Sequence, residues 1–254
     1  MIILLTNDDG IDSEGIQKLA GVLRSKGENR VFIIAPDTNR SGISNAISIL
    51  NGPVELKPQG EDTWSCSGFP GDCVIIGLKC GLPEFPDIVL SGINRGANIG
   101  TDLIYSGTAA AARQSSLYGI PAVALSLAGK DPYYWDMAAS WSADHLEELL
   151  AYWRKDAFVN VNIPNNPAGP EGIASSWPSV KDYQDRLELS ISPEGKRLFL
   201  LKTGVEIVEN ETGTDFNIIS RNCVSVSTVY NYPAVYRDLC PGVPDHAAVA
   251  MREG

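Results

Sequence analysis

Asp8 and Asp9 are the side chains of this sequence best placed to do chemistry. They stand in the turn Asn7-Asp8-Asp9-Gly10, directly after the apolar run Ile2-Ile3-Leu4-Leu5. Such a run reads as a strand buried on both faces, and open α/β sheets bind ligands at the carboxyl ends of their strands. Two like charges side by side at a buried turn are costly, and a divalent cation between them removes the cost. A solvated acidic turn is the bland alternative. Two further strand ends carry oxygen donors of the same kind: Ser41 after Arg30 to Ala35, and Asn94 with Asn98 after Pro86 to Leu90. In a parallel sheet all three loops emerge on one edge. Carboxylate, hydroxyl and amide oxygens suit Mg²⁺ or Mn²⁺ and suit zinc poorly. No histidine lies in these loops; His145 and His246 are expected at a surface or an interface.

Tyr105-Ser106-Gly107-Thr108 precedes four alanines and reads as a helix start. Ser106 or Thr108 can cap that helix, and Gly107 leaves its first N–H groups open to a ligand. A helix N-terminus is a phosphate site, although an ordinary cap is the commoner meaning of the pattern. Beside a hard cation the phosphate meaning gains. On this reading a change at Gly107 disturbs phosphate binding and leaves the metal ligands, which lie on other loops, untouched.

The elements that must hold these residues follow from periodicity. Glu14 to Lys26 carries Ile16, Leu19, Ala20, Val22 and Leu23 on a helical stripe that stops at Gly27. With Arg30 to Ala35 it makes a βαβ unit and a right-handed parallel crossover. Residues 46–66 read as a strand or hairpin excursion, Asp72 to Leu82 as a helix, and Pro86 to Leu90 as a buried strand. Pro121 to Leu127 and Phe158 to Ile163 read as further strands, with one long amphipathic helix over Asp136 to Lys155 between them. After residue 165 the texture changes to alternating segments, Leu187 to Ile191, Arg197 to Lys202 and Asp215 to Tyr230, expected as antiparallel strands and hairpins. The fold class is therefore α/β. A Rossmann-like, doubly wound and mostly parallel core spans residues 1–165, and a β-rich extension spans residues 166–254.

A formal net charge of −11 argues against a protein that wraps nucleic acid or lies on anionic lipid. No apolar run approaches the roughly 18–20 residues of a membrane span. No basic leader precedes the first strand. Five cysteines, none in a C-x-x-C pair, argue against a disulfide scaffold or a cysteine zinc site. Cys73 and Cys80 share a helix face and are expected as core thiols. The expectation is a cytoplasmic protein.

The motifs Ile3-Leu4-Leu5-Thr6-Asn7-Asp8-Asp9-Gly10, Ala35-Pro36-Asp37-x-x-Arg40-Ser41-Gly42, Pro86 to Gly100 and Tyr105-Ser106-Gly107-Thr108 together resemble the signature of SurE, the stationary-phase survival family. Pro70-x-Asp72-Cys73-Val74 and Asn160-Val161-Asn162-Ile163-Pro164 are further matches, with weaker echoes at Thr214-Asp215 and Val224 to Ser227. The resemblance implies a metal-dependent phosphatase acting on nucleoside 5′- and 3′-monophosphates, with polyphosphate as a further substrate of some members. It implies one divalent cation per subunit, held by Asp8, Asp9, Ser41 and Asn94, with Asn98, Ser106, Gly107 and Thr108 facing the phosphate. It also implies a C-terminal arm exchanged between subunits of a homodimer or homotetramer. The chain departs from the family pattern at Ser13-Glu14-Gly15, where Ala-Pro-Gly is usual, and at Gln114-Ser115, where Glu-Gly is usual.

The expected chemistry is cation-assisted hydrolysis, with Asp8 or Asp9 as catalytic base. The regulatory alternative is a Mg²⁺-binding phospho-receiver, but that needs an acceptor aspartate after its third strand, where this chain has Ser91. A dinucleotide-binding module would need G-x-G-x-x-G after strand 1. A covalent aspartyl phosphatase would need Asp-x-Asp rather than adjacent aspartates.

Overall fold

The computed structural model describes residues 1–233 apart from 28, 203, 205 and 209. Cys240 and His246 lie outside the described residues. Hydrophobic runs form a nine-stranded sheet in the order β3-β4-β2-β1-β5-β6-β7-β13-β8. Its centre is β1 (Ile2–Thr6), flanked in parallel by β2 (Arg30–Pro36) and β5 (Ile88–Arg95). Outward from β2 lies β4 (Thr63–Cys66), parallel, and then β3 (Leu56–Gly60), antiparallel. Outward from β5 lie β6 (Ala122–Ala128) and β7 (Ala157–Pro164), both parallel.

Helices cover both faces because the central strands are apolar on both sides. Ile3 and Leu5 pack with Ile16, Leu19 and Leu23 of α1 (Glu14–Ser25) on one face. Leu4 on the other meets Cys73 and Val74 of α2 (Pro70–Ile76) and the alanines of α3 (Gly107–Leu117). The chain thus leaves β1 toward one face and β5 toward the other. The crevice between these two strand ends is the topological switch point of a doubly wound sheet, the place where such sheets take ligands.

Several expected elements take a different form. The long helix over Asp136 to Lys155 is broken into α4 (Trp135–Asp144) and α5 (Leu146–Leu150). His145 between them has left the helical conformation, at φ −106° and ψ 11°, and its ring stacks on Trp141 at 4.3 Å. It is half-buried. The helix expected from Asp72 begins at Pro70 and finishes as a π-helical turn, Gly77–Gly81. β5 continues past Leu90 through Asn94 to Arg95, so Asn94 is a strand residue and not a loop residue. Its register against β6 shifts between Ser91 and Asn94. At Gly92 a side chain would lie 2.3 Å from the Leu125 carbonyl oxygen, so only glycine fits there.

Past residue 165 the sheet continues. β13 (Cys223–Tyr230) pairs antiparallel with β7 and parallel with β8 (Gly172–Ser175). The segment at Asp215, expected as strand, is instead the helix α6 (Asp215–Ser220), with the Thr214 hydroxyl accepting from the Asn217 N–H at 3.3 Å. A threonine cap followed by an aspartate in the first turn is a helix-start signal that outweighs the β-like texture around it. Two small ladders stand apart from the sheet: β9 (Lys181–Tyr183) with β12 (Glu206–Val208), and the hairpin β10 (Arg186–Ile191) with β11 (Arg197–Lys202). No helix among the described residues is long and apolar enough to cross a membrane.

Candidate active site

The turn after β1 is built by Asn7. Its side-chain oxygen accepts the Gly10 N–H at 3.2 Å, and its amide donates to Gly10 O at 2.9 Å and Ser13 Oγ at 2.6 Å. Gly10, at φ +103°, closes the turn as few other residues could. Within it the two carboxylates diverge. Asp8 is buried; its Oδ1 accepts the Thr108 hydroxyl proton at 2.5 Å. Asp9 turns the other way, and its Oδ2 accepts the Arg95 backbone N–H at 2.9 Å. The Arg40 N–H donates to the Asp8 carbonyl at 2.7 Å and so draws the Ser41 loop onto the same turn.

An open pocket of about 210 Å³ results, lined by Asp8, Ser41, Asn94, Asn98 and Ser106 together with Asp102. These five sequence-predicted residues therefore converge, from the ends of β1, β2 and β5 and from the start of α3. Asn94 donates its amide to Gly96 O at 3.0 Å, which leaves its side-chain oxygen as the ligating end. Ser106 accepts the Ala109 N–H at 3.0 Å as the cap of α3. Asp9 lines a neighbouring pocket instead of this one, with Arg95 bordering both.

Gly107 and Thr108 stand directly behind the pocket, against Asp8. A β-carbon on Gly107 would lie 2.7 Å from Asp8 Cβ and 2.9 Å from Asp8 Oδ2. The missing side chain makes room for a carboxylate of the protein, so the expectation that a change at Gly107 spares the metal ligands does not hold. The Thr108 hydroxyl and the N–H groups of Gly107 and Thr108 favour the charged form of Asp8.

Burial dominates the electrostatics. It holds the Asp8 carboxyl above its ordinary range against the pull of Thr108. Asp9 is pushed up to about 6, first by burial and then by the Asp8 charge, with the Arg95 N–H opposing. A cation shared by the pair reverses both effects. Among the described residues no three His, Cys, Asp or Glu side chains converge. The donor set is therefore carboxylate, hydroxyl and amide oxygen, which fits a hard divalent cation and not zinc.

Residues 3–184 match the family model described as Survival protein SurE. This chain belongs to the SurE family. Relatives called 5′-nucleotidase SurE include one from Pelobacter propionicus, 37% identical over 240 residues, covering 91% of this chain and 93% of the relative. Another, from Geobacter sulfurreducens, is 37% identical over 235 residues, with 91% and 88% covered. The crystal structure of the SurE protein from Aquifex aeolicus superposes with a TM-score of 0.81 at 32% identity, covering 94% of this chain and 97% of that one.

Other SurE motif residues serve as supports that reading the loops alone did not find. Asn98 is locked by β6 and β7: its amide donates to Ser126 Oγ at 2.8 Å, its N–H to Asn162 Oδ1 at 2.8 Å, and its carbonyl accepts from Asn160 at 2.9 Å and Asn162 at 3.1 Å. Two fully buried asparagines two apart in an apolar strand face the same side. That spacing was the available signal. Asp72 accepts from the N–H groups of Ser48, Ile49 and Phe69, and so is structural. The extension also reaches the site. Asp215 accepts the Gly100 N–H at 2.7 Å and the Ser179 N–H at 2.9 Å. Lys181 and Tyr183 both donate to Asp102, which lines the pocket.

Proposed function

We propose that this SurE protein is a cation-dependent phosphomonoesterase that releases phosphate from nucleoside 5′- and 3′-monophosphates. The observation that carries the reading is the convergence of Asp8, Ser41, Asn94, Asn98 and Ser106 on one pocket at the switch point of the sheet. The relatives' name, 5′-nucleotidase SurE, supports the substrate class. Asp8, Asp9, Ser41 and Asn94 would hold one Mg²⁺ or Mn²⁺ per subunit. That ion supplies Lewis-acid charge to a phosphoryl oxygen.

The chain's own residues do the rest. Asp8 is the rigid member of the pair, fixed by Thr108 and by the space at Gly107. Asp9 is the looser one, fixed through one oxygen, and is the base that takes the proton of the attacking water. Ser106 offers its hydroxyl proton to the phosphate while its oxygen caps α3, and the helix start favours the negative charge there. Asn98, clamped from β6 and β7, keeps the facing wall in place. The receiver alternative is not favoured, because the β5 position it would need carries the buried Ser91.

A homodimer or homotetramer is part of the proposal. Leu187, Leu189, Ile191, Leu198, Phe199, Leu200 and Leu201 of the β10–β11 hairpin are each more than half exposed. One face of this ribbon joins Leu187, Leu189, Ile191, Phe199 and Leu201 into an exposed apolar patch, which calls for a partner. A cytoplasmic location is supported by the free thiols Cys66 and Cys73.

Purified protein with Mn²⁺ or Mg²⁺ is expected to release phosphate from nucleoside monophosphates, with polyphosphate assayed alongside, and to stop when chelated. Full activity after exhaustive chelation, with no metal by elemental analysis, would overturn the cation requirement. No phosphate release from any monophosphate would overturn the reaction class.

A further inference from the structure

The metal pocket is only half of the crevice. On the other side of the Asp8-Asp9 turn lies a second compartment of about 500 Å³, bordered by Asp9, Glu14, Asn39, Arg95, Asp131 and Tyr133. These residues come from the carboxyl ends of β1, β2, β5 and β6, so it opens on the same edge as the metal pocket. Arg95 borders both compartments, and Asp9 is covalently next to Asp8. A group bonded to a phosphate in the first pocket has this space directly beside it.

Its wall is a stack of side chains. The Asp131 carboxylate accepts from Arg95 Nη2 at 2.6 and 2.7 Å. The Arg95 guanidinium lies over the Tyr133 ring at 5.0 Å, and that ring stacks on Trp135 at 5.1 Å. The Tyr133 hydroxyl donates to Gly129 O at 2.8 Å, which fixes the ring. The exposed end of the stack is the planar Arg95 guanidinium, which favours a planar base.

The charge is equally selective. The Arg95 side chain is paired with Asp131 and Asp9 is claimed by the cation, so Glu14 leaves the compartment net acidic. It repels further phosphate and accepts hydrogen bonds from hydroxyl and amino groups. We infer that this second compartment binds the nucleoside of the substrate, with the Arg95–Tyr133 stack against the base and Glu14 accepting from a sugar hydroxyl or base amine. The inference rests on the nucleotidase reading and adds to it a specificity-determining residue.

The test compares two substrates. Adenosine 5′-monophosphate uses both compartments, while the leaving group of p-nitrophenyl phosphate has no hydroxyl or amine for Glu14 to accept from. In Glu14→Gln the ratio of kcat/KM for the nucleotide to that for p-nitrophenyl phosphate is expected to fall about tenfold, mainly through KM, while Tyr133→Leu raises KM for both substrates, each of which has a planar ring. Adenosine alone, titrated calorimetrically, is expected to bind wild type and to bind both variants more weakly. An unchanged ratio in Glu14→Gln, with unchanged adenosine binding in both variants, overturns the inference. Hydrolysis of p-nitrophenyl phosphate without adenosine binding overturns it too, while leaving the phosphatase reading intact. If wild type cleaves neither substrate, the nucleotidase reading fails, and the adenosine titration alone upholds or overturns the compartment.

Discussion

Replacing Gly107 by alanine adds one methyl group, and the structure predicts that this methyl disables the metal site. The new β-carbon would lie 2.7 Å from Asp8 Cβ, 2.9 Å from Asp8 Oδ2 and 3.2 Å from Asp8 Cγ. Ordinary carbon–carbon contacts begin near 3.5 Å, so something must move by about 0.8 Å. Asp8 has little freedom to yield. It is buried, its Oδ1 is tied to Thr108, and its carbonyl is tied to the Arg40 N–H. The overpacking is expected to cost about 1–3 kcal/mol of stability. It offsets the gain of up to about 1 kcal/mol that alanine brings to a helix. A displacement of this size is enough to spoil ligation by an ion as demanding as Mg²⁺. Turnover is expected to drop about 100-fold, the usual scale for a misplacement near 1 Å, and metal affinity at least tenfold. Calorimetric titration of Mn²⁺, steady-state phosphate release and urea denaturation measure the three quantities. The Asp8→Gly background supplies the control, because removing the clashing atoms should abolish the stability cost of Gly107→Ala. A folded Gly107→Ala protein with wild-type metal affinity and turnover would refute the reasoning.

Thr108→Val removes the hydroxyl that holds Asp8 Oδ1, and metal affinity should fall about 10-fold, the lower end of the range for losing such a support; isothermal titration reads it, and an unchanged affinity would show Asp8 to be held by other means. Asp9, pushed up to about 6 by burial, takes a proton in competition with the cation. Apparent Mn²⁺ affinity should therefore fall about tenfold between pH 7 and pH 5. The folded carboxyl holds its proton more tightly than the unfolded one, so metal-free protein should become more stable as pH falls from 7 through 6 toward 4. Urea denaturation of the chelated protein showing the opposite trend would refute that sign. Leu189→Glu with Phe199→Ser makes the exposed hairpin polar at a directly paired position, and light scattering should report monomer at micromolar concentration. A monomeric wild type, or an oligomer that survives the change, would count against the hairpin as the assembly surface.

The sequence by itself determined the strands, most helices and the edge on which the candidate residues gather. Those follow from short-range pattern: an apolar run makes β1, a polar turn ends it, and the doubly wound order brings Asp8, Ser41 and Asn94 to one edge. Tertiary structure alone decided where each side chain points at those ends. Asp8 and Asp9 are neighbours in the chain, yet partners 100 and 86 residues away, Thr108 and Arg95, each hold one of the two carboxylates. The purpose of Gly107 was likewise invisible, because the atom it makes room for comes from another strand. The same holds for Asn98, whose locks lie 28 and 64 residues away, and for Asp215, which reaches back 115 residues to Gly100. Periodicity reports which face of an element is apolar. The direction of a polar side chain at a turn is set by whichever donor the completed fold brings within about 3 Å, and that donor has no fixed distance in sequence.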